Sequence, residues 1–218
     1  MIIATDGACK RNGEPTCVSV GVAWIMHDDG EMLFKAKFEH CSTSQRGEIN
    51  GLIEGLSYAS ENLADDEALS IITDSEYLFN TIEKDWVHKW ARQAWTGLAG
   101  PVKNQDQWEH VLRLLDSPKL IDNVFMQWTK GHLISYTPAN TRKAVAADTS
   151  GLELFDRITS VAMRPADYPR IVRDFNYNRM QHGLLAVPDE QAVEWAAANT
   201  VADCLASYLV RTFDDLLL

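Results

Sequence analysis

Short apolar runs open the chain and are separated by polar punctuation. Positions 2–5 and 18–26 are almost continuously apolar, Asp28-Asp29-Gly30 marks a turn, and over 31–38 Met32, Phe34, Ala36 and Phe38 alternate with Leu33, Lys35 and Lys37. This predicts a three-stranded antiparallel meander, and the alternation suits a sheet with one face covered. Over 46–62 the period changes: Ile49, Leu52, Ile53, Leu56 and Ala59 fall at helical spacing, which predicts an amphipathic helix. Leu69-Ser70-Ile71-Ile72-Thr73 then reads as a short buried strand. A strand, a crossover helix and a strand in that order favour parallel pairing within one sheet.

A helical stretch is expected from Ser75, followed by a segment with Trp86, Trp90 and Trp95 that ends at Gly97 and Gly100-Pro101. Asp106 is placed to cap a helix running through Leu115, and 124–129 is the next strand. Residues 133–188 have neither repeats nor a clear period. Pro188-Asp189 starts a helical pattern in which Val193, Ala196, Ala197, Val201, Leu205 and Tyr208 form the expected buried face. The reading is one α/β domain over 1–218, with a mixed five-stranded sheet and helices on both faces. Within it, 84–104 is a basic segment, 133–188 a helical insertion and 189–218 a terminal helix and tail.

Composition adds little to this, at 46% hydrophobic and 23% charged over 218 residues, beyond excluding collagenous, low-complexity and wholly disordered chains. No apolar run approaches the roughly 18–20 residues that span a bilayer. The first residues read directly as a strand, with no leader pattern before them, so a cytoplasmic protein without a membrane partner is expected. Cys9, Cys17, Cys41 and Cys204 form no metal-ligand spacing and no disulfide framework, and read as small hydrophobes.

Charge changes the picture more. A net charge of −11 argues at first sight against nucleic acid, since phosphate binding needs Lys and Arg. Two islands run the other way: Lys84, Lys89, Arg92 and Lys103 against Asp85, and Arg164, Arg170, Arg173 and Arg179 against Asp167 and Asp174. Both carry aromatics, so each can track a backbone and stack on sugars or bases.

Asp6 and Asp74 each end an apolar run and precede a small residue, Gly7 and Ser75. On neighbouring parallel strands both carboxylates project from one sheet edge, where α/β ligand sites lie. Glu48, in the first turns of the crossover helix, reaches the same edge. Three converging carboxylates repel one another unless a divalent cation neutralises them. Magnesium suits hard oxygen ligands, and two ions about 3.5–4 Å apart clamp the attacking and leaving oxygens of a phosphodiester. Any one of these acids taken alone also fits a solvated or capping role.

The motifs narrow the choice. Ile3-Ala4-Thr5-Asp6-Gly7-Ala8, Gln45-Arg46-Gly47-Glu48 and Ile72-Thr73-Asp74-Ser75 resemble, in order, the acidic motifs of the type 1 ribonuclease H family. Trp86-Val87-His88-Lys89-Trp90 through Pro101-Val102-Lys103-Asn104 is similar to that family's basic handle. Trp128-Thr129-Lys130-Gly131-His132 resembles the loop of its catalytic histidine, and Asn199-Thr200-Val201-Ala202-Asp203-Cys204-Leu205-Ala206 the helix of its fourth acid. Five motifs in one order are far more specific than any one alone.

The resemblance implies a ribonuclease H-like fold and endonucleolytic cleavage of the RNA strand of RNA–DNA hybrids, leaving 5′-phosphate and 3′-hydroxyl ends. It implies Asp6, Glu48, Asp74 and Asp203 as ligands of two Mg²⁺ ions, with Mn²⁺ as a substitute. His132 would assist proton transfer or product departure, a role open to an imidazole. Asn12, Gln45, Trp86, Lys89, Arg92, Trp95, Lys103 and Asn104 are the implied hybrid-binding residues. Trp86 and Trp90 are expected to serve mainly as packing within the handle. A monomer is favoured over an oligomer, and no protein partner is indicated.

Three departures stand out. His132 and Asp203 are 71 positions apart, about sixty more than the family spacing, although an insertion at a loop costs little in closure entropy. Asp148 is a rival fourth ligand; Asp203 is preferred because Asn199 precedes it by one helical turn. The insertion reads as an added hybrid-binding surface built on its four arginines, as a partner-docking element, or as a helical decoration with its own small core. Glu76 adds negative charge near the metals, and a thinly charged handle predicts weak, salt-sensitive hybrid binding. Among rival functions, an exonuclease would want a second acid where Ala8 stands, and resolvases lack the Trp-rich handle. A hybrid-binding module with weakened catalysis is opposed by the intact Asp6, Glu48 and Asp74.

Overall fold

The computed structural model describes residues 1–65, 67–134, 136 and 150–215; Asp148 lies outside them. Strands β1 (Ile2–Lys10), β2 (Val18–Met26) and β3 (Met32–His40) form the meander, and α1 (Ser44–Asn62) crosses to β4 (Leu69–Thr73). Helices α2 (Glu76–Glu83) and α3 (Trp86–Arg92), the ribbon β5 (Thr96–Gly97) and β6 (Gly100–Pro101), and α4 (Gln105–Leu115) lead to β7 (Val124–Trp128). Helices α5 (Gly151–Ala162), α6 (Tyr168–Gln181) and α7 (Asp189–Asp215) follow. The main sheet is ordered β3-β2-β1-β4-β7, antiparallel in the meander and parallel for β1 with β4 and β4 with β7. No helix among the described residues is long and apolar enough to cross a membrane.

Each face of the sheet has its own core. Ile3, Ala23, Ile25, Ile71 and Met126 meet Ile49, Leu52, Ile53 and Leu56 of α1, together with Leu78, Val87 and Trp108 from α2, α3 and α4. On the opposite face Ala4, Val20, Val22, Trp24 and Ile72 meet α7 through Ala198, Val201, Ala202 and Leu205. The period of two along β1, β2 and β4 thus sorts residues between α1 and α7. β2 is buried along its whole length, which explains its continuous rather than alternating apolar run.

The helices of the insertion belong to the second core. Leu154 and Ile158 of α5 and Ile171 and Phe175 of α6 are buried beside Trp195 of α7. Arg179, expected on a binding surface, is only 4% exposed. Its Nη1 donates to Gln127 Oε1 at 2.8 Å, its Nε donates to the Leu185 carbonyl at 3.1 Å, and its guanidinium lies over the Trp195 ring. A buried guanidinium needs such partners, so this arginine ties α6 to β7 and α7.

Three sequence expectations are corrected. β1 does not end at Asp6: the parallel pairing with β4 stops at Thr5 and Thr73, but β2 supplies partners as far as Lys10. Asp106 does not cap α4; Asn104 takes the cap position at φ 57°, and Asp106 binds Arg46 from the first turn. The third strand is covered only in part, because it lies at the sheet edge. Met32 and Ala36 pack on the core, while Phe34 and Phe38 stay 39% and 38% exposed.

Candidate active site

Asp6 and Asp74 are the first residues beyond the last β1–β4 register pair, so they leave the two strands side by side. Glu48 comes from α1, which Thr43 caps by accepting the Arg46 N–H on Oγ1 at 3.2 Å. A close helix–strand approach brings it in. A Cβ at Gly7 would lie 2.2 Å from the Glu48 nitrogen, and one at Gly21 2.2 Å from the Gly51 nitrogen. Only glycine admits a backbone that near. As a result one carboxylate oxygen from each of Asp6, Glu48 and Asp74 falls within 4.8 Å of the others.

The fourth acid arrives from α7. Asp203 is 8% exposed, and its Oδ2 receives His132 Nδ1 at 3.0 Å. Asn199, one turn earlier, lies close enough to Asp74 to pull its carboxyl back down, and Asp203 and Ser207 both act on the half-buried Tyr136 hydroxyl. Gly131 passes flush against Asp74: a Cβ there would lie 2.5 Å from Oδ2. Sequence reasoning named Gly131 only as part of the histidine motif, with no role of its own, and did not name Tyr136. Tyr136 stands in a segment without a period, and the need for glycine at 131 comes from a tertiary approach that no local pattern encodes.

Electrostatics sets the chemistry. Burial, then Glu48, Asp74 and Asp203, push the Asp6 carboxyl well above its ordinary range. Burial, then Asp74 and Asp203, do the same to Glu48. Asp74 is raised by burial and by Asp203, against the opposing pull of His132 and Asn199. Glu48 Oε2 is buried with no hydrogen-bond partner among the described residues, an arrangement that costs free energy unless a cation or proton completes it. Clustered hard oxygens with an unpartnered buried oxygen among them suit a divalent ion such as Mg²⁺.

The other expected residues fall into two groups. Asn12 Oδ1 accepts the Ser44 N–H at 3.3 Å, beside exposed Gln45. Arg46 bridges Glu39 and Asp106, which ties the start of α4, and with it Asn104, to the start of α1. In the handle, Trp90 and Trp95 pack on the core below; Trp86 lies 6.2 Å from Trp90, and Trp90 lies 6.0 Å from buried Trp108. Lys89 donates to the Lys84 carbonyl, Arg92 to Asp85, and Lys103 is exposed. In the insertion Arg164 pairs with Asp167, and Arg170 and Arg173 with Asp174.

Comparison with known proteins follows this geometry. A ribonuclease H of Caldicellulosiruptor saccharolyticus is 33% identical over 133 residues, 61% of this chain and 83% of the relative. One of Nitratidesulfovibrio vulgaris is 36% identical over 149 residues, covering 67% and 86%. A foamy viral protease–reverse transcriptase in complex with RNA/DNA hybrid superposes with a TM-score of 0.50 at 14% identity, over 59% of this chain and 17% of that one; it speaks for the fold alone. The family model described as RNase H matches residues 1–149; α7 with Asp203 lies beyond that match. Covering more than half of the chain, the match establishes that this protein belongs to the ribonuclease H family.

Proposed function

We propose that the protein is an endoribonuclease that hydrolyses the RNA strand of RNA–DNA hybrids, leaving 5′-phosphate and 3′-hydroxyl ends. The observation that carries this reading is the convergence of Asp6, Glu48 and Asp74 within 4.8 Å at the sheet edge of a ribonuclease H family chain. Asp6, Glu48, Asp74 and Asp203 would hold two Mg²⁺ ions, or Mn²⁺, which when bound supply water activation and neutralise charge on the leaving oxygen. Asp203 is supported as the fourth ligand by its charge acting on all three other acids.

The protein's own groups then divide the work. Asn199 favours the ionised form of Asp74. His132, with a side chain 75% exposed and Nδ1 held by Asp203, carries its outer nitrogen in solvent, where it can pass a proton to the departing 3′-oxygen. Asn12, Gln45 and Asn104 offer amides to the hybrid, and 2′-hydroxyls are the groups by which such contacts distinguish RNA from DNA. Lys89, Arg92 and Lys103 meet backbone phosphates, and the tryptophans stiffen the handle that presents them.

The test is cleavage of an RNA–DNA hybrid in Mg²⁺ beside single-stranded RNA, double-stranded RNA and double-stranded DNA. Cutting confined to the hybrid is expected; comparable cutting of double-stranded DNA would overturn the assignment. Asp203→Asn is expected to lose activity about a hundred- to a thousandfold and Asp148→Asn to stay within about threefold, on the scale of losses for charge-stabilising groups. The reverse ranking would make Asp148 the ligand.

A further inference from the structure

Cys9, near the end of β1, and Cys17, just before β2, face each other across the base of the first hairpin, with Sγ atoms 2.7 Å apart. Cys17 is fully buried and Cys9 half-buried. The loop between them is tightly determined. The Glu14 N–H donates to the Arg11 carbonyl and the Cys17 N–H to the Glu14 carbonyl, both at 2.9 Å, while Arg11 reaches Thr16 and Asp214. Two sulfurs held this close by a fixed turn need almost no backbone movement to join.

We infer that Cys9 and Cys17 are a site of reversible oxidation, closing an intramolecular disulfide when the protein meets a low-molecular-weight disulfide such as glutathione disulfide. The Cys9 thiolate attacks one sulfur of the oxidant, breaking its S–S bond and releasing one glutathione. The Cys17 thiolate then attacks the Cys9 sulfur of the mixed disulfide and releases the second glutathione. Two protein thiols become one disulfide, the oxidant's disulfide becomes two thiols, and both protons end on the released glutathiones. Cys9 is the entry point because it is the more accessible of the two.

Two features define the behaviour of the pair. Burial and the adjoining Cys17 thiol push the Cys9 thiol up to about 12, so exchange is slow at neutral pH and quickens about tenfold per pH unit toward alkaline pH. Asn12 lies inside the loop that the bond closes, and its Oδ1 is 3.9 Å from Cys9 Sγ. The pair therefore sits at the edge of the face where substrate is proposed to bind. Cys41, exposed and bonded to the Pro15 carbonyl at 3.1 Å, is the internal control.

The experiment incubates the folded, reduced protein with glutathione disulfide at pH 8.5, traps residual thiols by alkylation and maps tryptic peptides without reduction. A linked pair of peptides 1–10 and 12–35 is expected, cleaved by dithiothreitol and retained in Cys41→Ser. It is expected to vanish in Cys9→Ser and in Cys17→Ala. Recovery of Cys9 and Cys17 in alkylated form, or a crosslink that contains Cys41, would overturn the proposal. Because the decisive map is made on the unsubstituted protein, misfolding of a variant cannot decide the outcome.

Discussion

Asp6, Glu48 and Asp74 hold their protons more tightly in the fold than in the unfolded chain, because burial and mutual repulsion raise all three. The folded state therefore binds more protons, and its stability falls as pH rises through the raised folded values. A thermal melt in EDTA should show that loss between weakly acidic and neutral pH, with Mg²⁺ restoring stability at neutral pH. Asp6→Asn removes one repelling charge. It is expected to raise the melting temperature in EDTA by about 2–8 °C, worth ~1–2 kcal/mol, and to reduce the gain from Mg²⁺. A lower melting temperature would mean that the cluster is not repulsive. At this scale much was legible: Asp6, Glu48 and Asp74 stand in recognisable motifs, and the Asn199–Asp203 spacing is one helical turn. Tyr136 was not, since its contact with Asp203 depends on where the chain goes after His132.

Among the elements, α1 is seated by glycines. A Cβ at Gly21 would meet the Gly51 nitrogen at 2.2 Å and the Gly47 carbonyl oxygen at 2.3 Å, backbone atoms that cannot rotate aside. Gly21→Ala is therefore expected to cost about 3 kcal/mol or more, at the severe end of single substitutions, measurable by urea unfolding. A neutral result would show that α1 can lift from the sheet, and Glu48 with it. The period-2 and period-3.6 patterns disclosed the order of strands and helices. They did not disclose that β1 continues past Asp6, because its extension is set by β2 and each strand's length depends on its neighbour. The same limit hid the bounds of α5 and α6 within the expected helical insertion, and what they pack on. Their apolar residues are spaced to meet α7 and β3, and Phe175 is fully buried in that shared core. Phe175→Ala is expected to lower global stability by about 3–5 kcal/mol, whereas an independent decoration would leave the main transition unmoved.

For the whole molecule, a net charge of −11 leaves the nucleic-acid footprint to a few local cations. Arg164, Arg170 and Arg173 pair with acids in or beside their own helix, and Arg179 is internal. Replacing Arg164, Arg170 and Arg173 by alanine is expected to leave hybrid affinity within about twofold, as exposed ion pairs carry little free energy. A Lys89→Ala, Lys103→Ala pair is expected to weaken affinity and to lower the slope of log affinity against log salt by about one per lysine. Equal losses from both sets would restore the insertion as a binding surface. The charge islands were visible in the sequence, but their meaning depends on which acid each arginine finds, and that is settled by helix packing.

Whether one carboxylate cluster cuts RNA within a hybrid is decided by mapping the products of an end-labelled RNA–DNA hybrid in Mg²⁺, with the native protein beside Asp74→Asn. Internal cuts in the RNA strand alone are expected, with 5′-phosphate and 3′-hydroxyl ends, abolished by EDTA and reduced about a hundred- to a thousandfold by the substitution. Cutting of the DNA strand, or RNA cutting that survives both EDTA and Asp74→Asn, would contradict this expectation.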